Sequence, residues 1–148
     1  MWCIVRRMST TPSLEKLLQD SGLADKAQVL EANLIRLQWG SAFVIVGVSG
    51  TAIVAIAPLF RDLPKDRVAE FYRKVLEHNA YMGGMASFAI QPDGWVILHA
   101  GRALKGMDAT EFAAMVAGVG RFADQFDDQL IREFYSDQPE ATNQATVQ

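Results

Sequence analysis

Residues 42–60 constrain the fold of this chain most, because no charged side chain occurs between Arg36 and Arg61. The segment is long enough to cross a membrane as a helix. However, β-branched residues are frequent in both of its halves, which favours strands over a helix. Ser49 and Gly50 lie at its midpoint, where a two-residue hairpin turn would fit. We therefore predict two apolar strands joined at Ser49-Gly50; a membrane-spanning helix and a single buried helix are the alternatives.

The two predicted strands would place apolar side chains on both faces of a sheet. Successive residues of a strand point to opposite faces, so Phe43 and Ile45 share one face. In the second strand, Val54 and Ile56 likewise share one face, opposite Ile53. Because neither face of the hairpin is polar, each must be covered by another part of the chain or by a partner.

Composition and charge exclude several classes of function. A chain of 148 residues that is 50% hydrophobic and 21% charged is expected to fold as a single globular domain. The net charge of −3 and the lack of a basic run longer than Arg6-Arg7 argue against direct binding of nucleic acid. Cys3 is the only cysteine, so no internal disulfide can form. No secretory hydrophobic region follows residues 1–8, and we expect a cytoplasmic protein with no membrane association.

The remaining patterns predict the order α-β-β-β-α-β-β-α. Turn residues and hydrophobic periodicity divide the chain as follows: a short helix from Pro12, a strand within 27–39, the two strands of 42–60, a helix over 64–82, strands over 85–91 and 95–103, and a helix over 109–134. This order predicts an α+β fold, an antiparallel sheet of about five strands with helices packed on it. We expect an N-terminal extension over 1–10, the folded domain over 11–135 and a polar, disordered tail over 136–148.

Ionisable residues show no spacing that is typical of catalysis or of metal binding. His78 and His99 are the only histidines, and neither has a metal-binding partner at the required spacing. Cys3 has no base near it in sequence, so we do not expect it to act as a nucleophile. These patterns together predict no catalytic residue, no metal and no cofactor. One group of carboxylates is expected to lie on a solvated helix face: Asp124, Asp127 and Asp128.

Two uncharged features require a packing explanation. Gly118 and Gly120 lie inside the last predicted helix, where each glycine costs about 1 kcal/mol relative to alanine, and close packing of that helix would account for them. Asn79 falls on the apolar face of its predicted helix. Because a buried amide must find hydrogen-bond partners, we expect a structural bond between Asn79 and a neighbouring loop.

Residues 68–128 carry a family resemblance. The features that match are a helix ending near Asn79, then Gly84, the alternating Ser87-Phe88-Ala89-Ile90, the turn Pro92-Asp93-Gly94-Trp95, the helix start Gly106-Met107-Asp108 and the late Ala123-Asp124. This arrangement resembles the type III secretion chaperone-like superfamily, and within it the YbjN-like branch. The resemblance implies the same α+β fold and no active site. Superfamily members with secretion roles are small, acidic, dimeric proteins that hold partner polypeptides on hydrophobic surfaces.

The sheet face that no helix is expected to cover leads to the functional prediction. Helices on one face leave apolar side chains on the other, and each large side chain left in water forgoes about 1.5–3 kcal/mol. We therefore predict a non-enzymatic, chaperone-like adaptor that forms a homodimer and binds a partner protein. The predicted contact residues are Phe43, Ile45, Val54, Ile56 and Trp95. A register error of one residue would exchange the two faces. The alternative is a small-molecule sensor with an apolar pocket; the lack of a paired nucleophile and base disfavours a hydrolase or transferase.

Overall fold

A six-stranded antiparallel sheet organises residues 11–136, the part of the chain that the computed structural model describes. The helices and strands are α1 (Leu14–Asp20), β1 (Ala27–Glu31), β2 (Leu34–Trp39), β3 (Ala42–Ser49), β4 (Ala52–Phe60), α2 (Val68–Met82), β5 (Ser87–Ile90), β6 (Val96–Ala103) and α3 (Ala109–Leu130). The strands lie in the order β1-β2-β3-β4-β6-β5. The predicted N-terminal extension with Cys3, and all but the first residue of the predicted tail, lie outside the described residues.

Side-chain caps begin the first and last helices. Helix α3 starts at the predicted residue 109, whereas α1 starts at Leu14, two residues after the predicted Pro12. The Ser13 hydroxyl accepts a hydrogen bond from the Lys16 N–H at 3.1 Å, which satisfies a free donor at the start of α1. Asp108 does the same for α3, accepting from the Glu111 N–H at 2.8 Å. After α3, residues Ile131–Tyr135 form a π-helical turn that brings Tyr135 against Phe60.

The uncharged segment forms β3 and β4, so the membrane-helix and buried-helix alternatives are wrong. Ser49 pairs with Ala52, which places the turn at Gly50-Thr51, one residue later than predicted. Gly50 has a φ of +58°, a conformation that glycine adopts without a steric penalty. Within residues 11–136, none of the helices combines the length and the hydropathy needed to cross a bilayer.

The sheet has six strands where about five were predicted, because residues 27–39 form a hairpin and not one strand. β1 and β2 are joined by a tight turn at Ala32-Asn33, and the pairing of β1 is irregular between Val29 and Glu31. Neither turn residue is glycine or proline, so the break has no strong local signal. The Asn33 carbonyl accepts a hydrogen bond from the Val48 N–H of β3 at 3.0 Å, a contact between distant residues. The α+β class and the antiparallel sheet are confirmed.

The helices cover one face of the sheet, and the predicted division of side chains between the two faces is confirmed. The fully buried side chains beneath α3 include Val44, Val46, Ile53, Ala55 and Leu98. On the opposite, helix-free face, Ile45 pairs with Ile56, and both are only half-buried.

Helix α2 lies over the β5 end of the sheet and leaves that end incompletely covered. It begins at Val68, later than the predicted residue 64. Arg67, which precedes it, has a φ of +54° and provides no side-chain cap. Phe71 is fully buried, but Ile90 of β5 is 44% exposed. It points toward the helix side at the outer edge of the sheet, where a gap of about 350 Å³ separates β5 from α2.

Candidate functional site

A groove with a volume of about 520 Å³ crosses the helix-free face of the sheet. We call it the open-face groove. Its apolar lining consists of Leu30, Phe43, Ile45, Ile56, Pro58, Trp95 and Ile97, and its polar lining of Gln28, Arg36, Gln91 and Asp93. It therefore includes side chains from β1, β2, β3, β4 and β6.

Strand register places these side chains next to one another. Arg36 of β2 pairs with Ile45 of β3, which pairs with Ile56 of β4, so the three form a row across the sheet. Neighbouring strands lie about 4.8 Å apart, which allows adjacent side chains of a row to touch. At the far end, the tight turn before β6 positions Trp95, whose backbone N–H donates to the Asp93 carboxylate at 3.3 Å.

Four of the five predicted contact residues line the groove: Phe43, Ile45, Ile56 and Trp95. Val54 does not, although it lies half-buried on the same face. It pairs with Gly47 on one side and Gly101 on the other, so neither neighbour supplies a side chain that could form a groove wall with it. A role of the five residues in protein binding stays a prediction.

Among the described residues that line the groove, Arg36 is the only positively charged one, and sequence reasoning missed it. Its guanidinium lies 4.2 Å from the centre of the Phe43 ring and helps to reduce the exposed fraction of Phe43 to 7%. The Arg36 guanidinium makes no hydrogen bond or ion pair with any residue of the described range 11–136. Alternation along β2 indicates that the side chains of Arg36 and Ile35 point to opposite faces of the sheet, but only the pairing with β3 shows that Arg36 borders an apolar groove.

A second apolar surface lies where α2 meets β5. We call the exposed side chains Tyr72, Leu76 and Ile90 the α2–β5 patch; they border the gap between the two elements and are 39%, 64% and 44% exposed. The apolar arc of α2, which includes Phe71 and Val75, is wider than its contact with the sheet, and that width is the signal that could have revealed the patch.

The ionisable residues considered from the sequence pack against, or form hydrogen bonds with, other residues of the domain. The His78 ring stacks on Phe126 with 4.1 Å between ring centres, and burial lowers the pKa of His78. Asp124 and Asp127 are not merely solvated, since the single proton of the Ser41 hydroxyl lies between the two carboxylates, with O–O distances of 3.0 and 3.2 Å. Burial raises the pKa of Asp127. Within residues 11–136, His, Cys, Asp and Glu form no group of three that could hold a metal ion.

Family comparison identifies the class of protein to which this fold belongs. Residues 13–125 match the model of the Tir chaperone protein (CesT) family, and this match covers most of the chain. The chain belongs to the CesT family. The predicted type III secretion chaperone-like superfamily is thereby confirmed. A comparison with curated proteins finds no match.

Solved structures support the same fold for this CesT-family chain. The ExsC–ExsE complex contains a chain with a TM-score of 0.61 and 17% identity, covering 83% of this chain and 97% of the other. The ExoU–SpcU complex from the type III secretion system of Pseudomonas aeruginosa gives 0.60 and 13%, covering 78% and 95%. YbjN from E. coli gives 0.46 and 14%, covering 88% and 97%, a similarity too low to place the chain in the YbjN-like branch. At these identities the similarity shows the fold alone.

Proposed function

We propose that this CesT-family protein is a non-enzymatic, cytoplasmic, chaperone-like adaptor that binds a partner polypeptide in the open-face groove and forms a homodimer. The observation that carries the proposal is the row of apolar side chains around Ile45 and Ile56, which none of the described helices covers.

Burial of this row would provide the driving force for binding. Fully burying a large apolar side chain contributes about 1.5–3 kcal/mol. Phe43 and Ile97 are already nearly buried, so a partner would gain chiefly from Ile45, Ile56 and Trp95, each of which is half-buried. An uncovered apolar groove with polar residues along its sides is typical of an interaction site.

Similar structures support a polypeptide as the ligand. Two of them are complexes, ExsC with ExsE and ExoU with SpcU, and the second is described as heterodimeric. The chains that match this one are covered over 97% and 95% of their lengths, so the whole fold is shared.

The α2–β5 patch is the surface that we assign to the homodimer. Leu76 is 64% exposed on α2, and Ile90 is 44% exposed on the adjacent outer strand, which leaves an apolar gap open between them. The patch lies at the β5 edge, whereas the groove lies on the helix-free face. Two copies that meet through the patch would therefore leave both grooves free for partners.

Comparative affinity capture tests the partner-binding role. Wild-type protein, Ile45→Asp and the control Val29→Asp would be used as bait in the same lysate, after circular dichroism confirms that each is folded. Val29 is 65% exposed and belongs to β1, but it does not line the groove. We expect polypeptides retained by the wild type and by Val29→Asp to be lost with Ile45→Asp, because a carboxylate would lie in the apolar row. Equal capture by all three proteins would contradict the proposal.

The groove volume favours a second candidate function, a small-molecule sensor. At about 520 Å³ it lies within the range of about 300–1,000 Å³ that is usual for small-ligand sites. Thermal-shift screening with metabolites separates the two functions, because saturable stabilisation by one compound, abolished in Ile45→Asp, would support the sensor.

A further inference from the structure

We infer that the polypeptide segment bound in the open-face groove carries a carboxylate that pairs with Arg36, so that the adaptor selects apolar segments containing an Asp or Glu at one end. This inference rests on the proposed function and specifies the chemistry of the partner.

Arg36 is positioned by an aromatic ring and by its neighbours on the adjacent strands. Its guanidinium lies over Phe43, 4.2 Å from the ring centre, and on either side in the same row stand Gln28 and Ile45. Among residues 11–136 no carboxylate is paired with it. The cation is therefore held against an apolar wall while its polar atoms depend on solvent.

Coverage of the groove would remove that solvent. An arginine that is enclosed without a partner loses its hydration, which is energetically unfavourable, whereas a carboxylate can accept two parallel hydrogen bonds from the guanidinium. An apolar segment without an acid over Arg36 would thus bind with lower affinity, and a segment with a basic residue at that position would bind with lower affinity still.

The carboxylate that lines the groove cannot serve instead. Asp93 lies in the turn before β6, and β6 is three strands away from the β2 strand that carries Arg36. Three strand spacings amount to about 14 Å, far beyond ion-pair distance. Ile45 and Ile56 occupy the space between the two charged ends. His99 of β6 completes the row of Arg36, and Trp95 lies four positions further along the chain toward the turn. An extended segment that reaches diagonally from Arg36 to Trp95 would therefore span about six residues, so the expected ligand is an acid followed or preceded by a short apolar stretch.

Selection from a random peptide library tests the inference without requiring a natural partner. The immobilised baits are the wild type, Arg36→Glu, Arg36→Gln and the control Arg121→Glu, which makes the same charge change at an exposed residue of α3 outside the groove. We expect the wild type and Arg121→Glu to enrich apolar peptides with an Asp or Glu. Arg36→Glu should enrich Lys or Arg in place of the acid, and Arg36→Gln should show no charge preference.

Affinity measurements on one selected peptide complete the test. Replacing its acid by the corresponding amide should weaken binding to the wild type by about tenfold and leave binding to Arg36→Gln unchanged. Apolar peptides selected with the same charge content by all four baits would overturn the pairing with Arg36 but leave the proposed function intact. If the folded wild type selects no apolar peptides, the proposed function itself fails.

Discussion

Gly120 shows how a single residue determines the approach of two elements. A Cβ atom at this position of α3 would lie 2.5 Å from Cγ and 2.6 Å from Cδ2 of Trp39, which is at the end of β2. These Trp39 atoms are at the base of the side chain and cannot move as freely as a flexible end. The predicted close packing therefore applies to Gly120. At Gly118 the nearest atom is Met85 Cε at 3.7 Å, an ordinary contact.

The two glycines should respond in opposite ways to the same substitution. We expect Gly120→Ala to lower the free energy of unfolding by about 1–3 kcal/mol, because overpacking against Trp39 exceeds the gain in helix propensity. Gly118→Ala is the matched control and should raise it by up to about 1 kcal/mol. Urea unfolding measures both, and equal effects of the two substitutions would show that Trp39 does not restrict α3.

At the scale of elements, Asn79 completes the outer edge of β5. Its Oδ1 accepts a hydrogen bond from the Phe88 N–H at 2.6 Å, and its Nδ2 donates to the Phe88 carbonyl at 3.5 Å. An edge strand exposes unpaired backbone groups that can pair with another chain. The asparagine of α2 occupies two such groups, so it joins the helix to the strand and blocks the edge at that point. The predicted structural bond is present, although its partner is a strand and not a loop.

Removal of this amide should loosen the attachment of β5. We expect Asn79→Ala to lower the free energy of unfolding by about 1–3 kcal/mol, because the Phe88 N–H loses its partner. Hydrogen exchange of the Phe88 amide should also become faster. Asn33→Ala, at an exposed turn residue, is the control and should change stability by no more than about 0.5 kcal/mol. Unchanged exchange at Phe88 would argue against the edge role of Asn79.

For the whole molecule, the separation of the groove and the α2–β5 patch predicts that self-association and partner binding are independent. Leu76→Asp should convert the proposed dimer to a monomer, because it places a charge in the patch, and it should leave a folded protein since Leu76 is 64% exposed. Light scattering coupled to size-exclusion chromatography gives the oligomeric state.

Val29→Asp provides the matched control for this change, since Val29 is 65% exposed and belongs to β1, at the other end of the sheet. It should remain dimeric. Leu76→Asp should also keep the peptide selection of the wild type, because Leu76 does not line the groove. A dimeric Leu76→Asp protein, or a monomeric wild type, would exclude the patch as the homodimer surface.

The amino-acid sequence determined the features that depend on near neighbours. Alternation along residues 42–60 separated Ile45 and Ile56 from Val44 and Val46, and the local sequence placed the start of α3 at residue 109. These features were predictable because side-chain direction in a strand and capping at a helix end are set within a few residues of the chain.

Only the tertiary structure decided which of these elements meet. The hairpin at Ala32-Asn33, the location of Arg36 beside the groove and the absence of Val54 from its lining all depend on pairing between strands. The exposure of Leu76 likewise depends on how far α2 extends over the outer strand. Register and coverage arise from contacts between residues that are distant in sequence, so the local pattern specifies what each face contains, and the assembled sheet specifies what that face contacts.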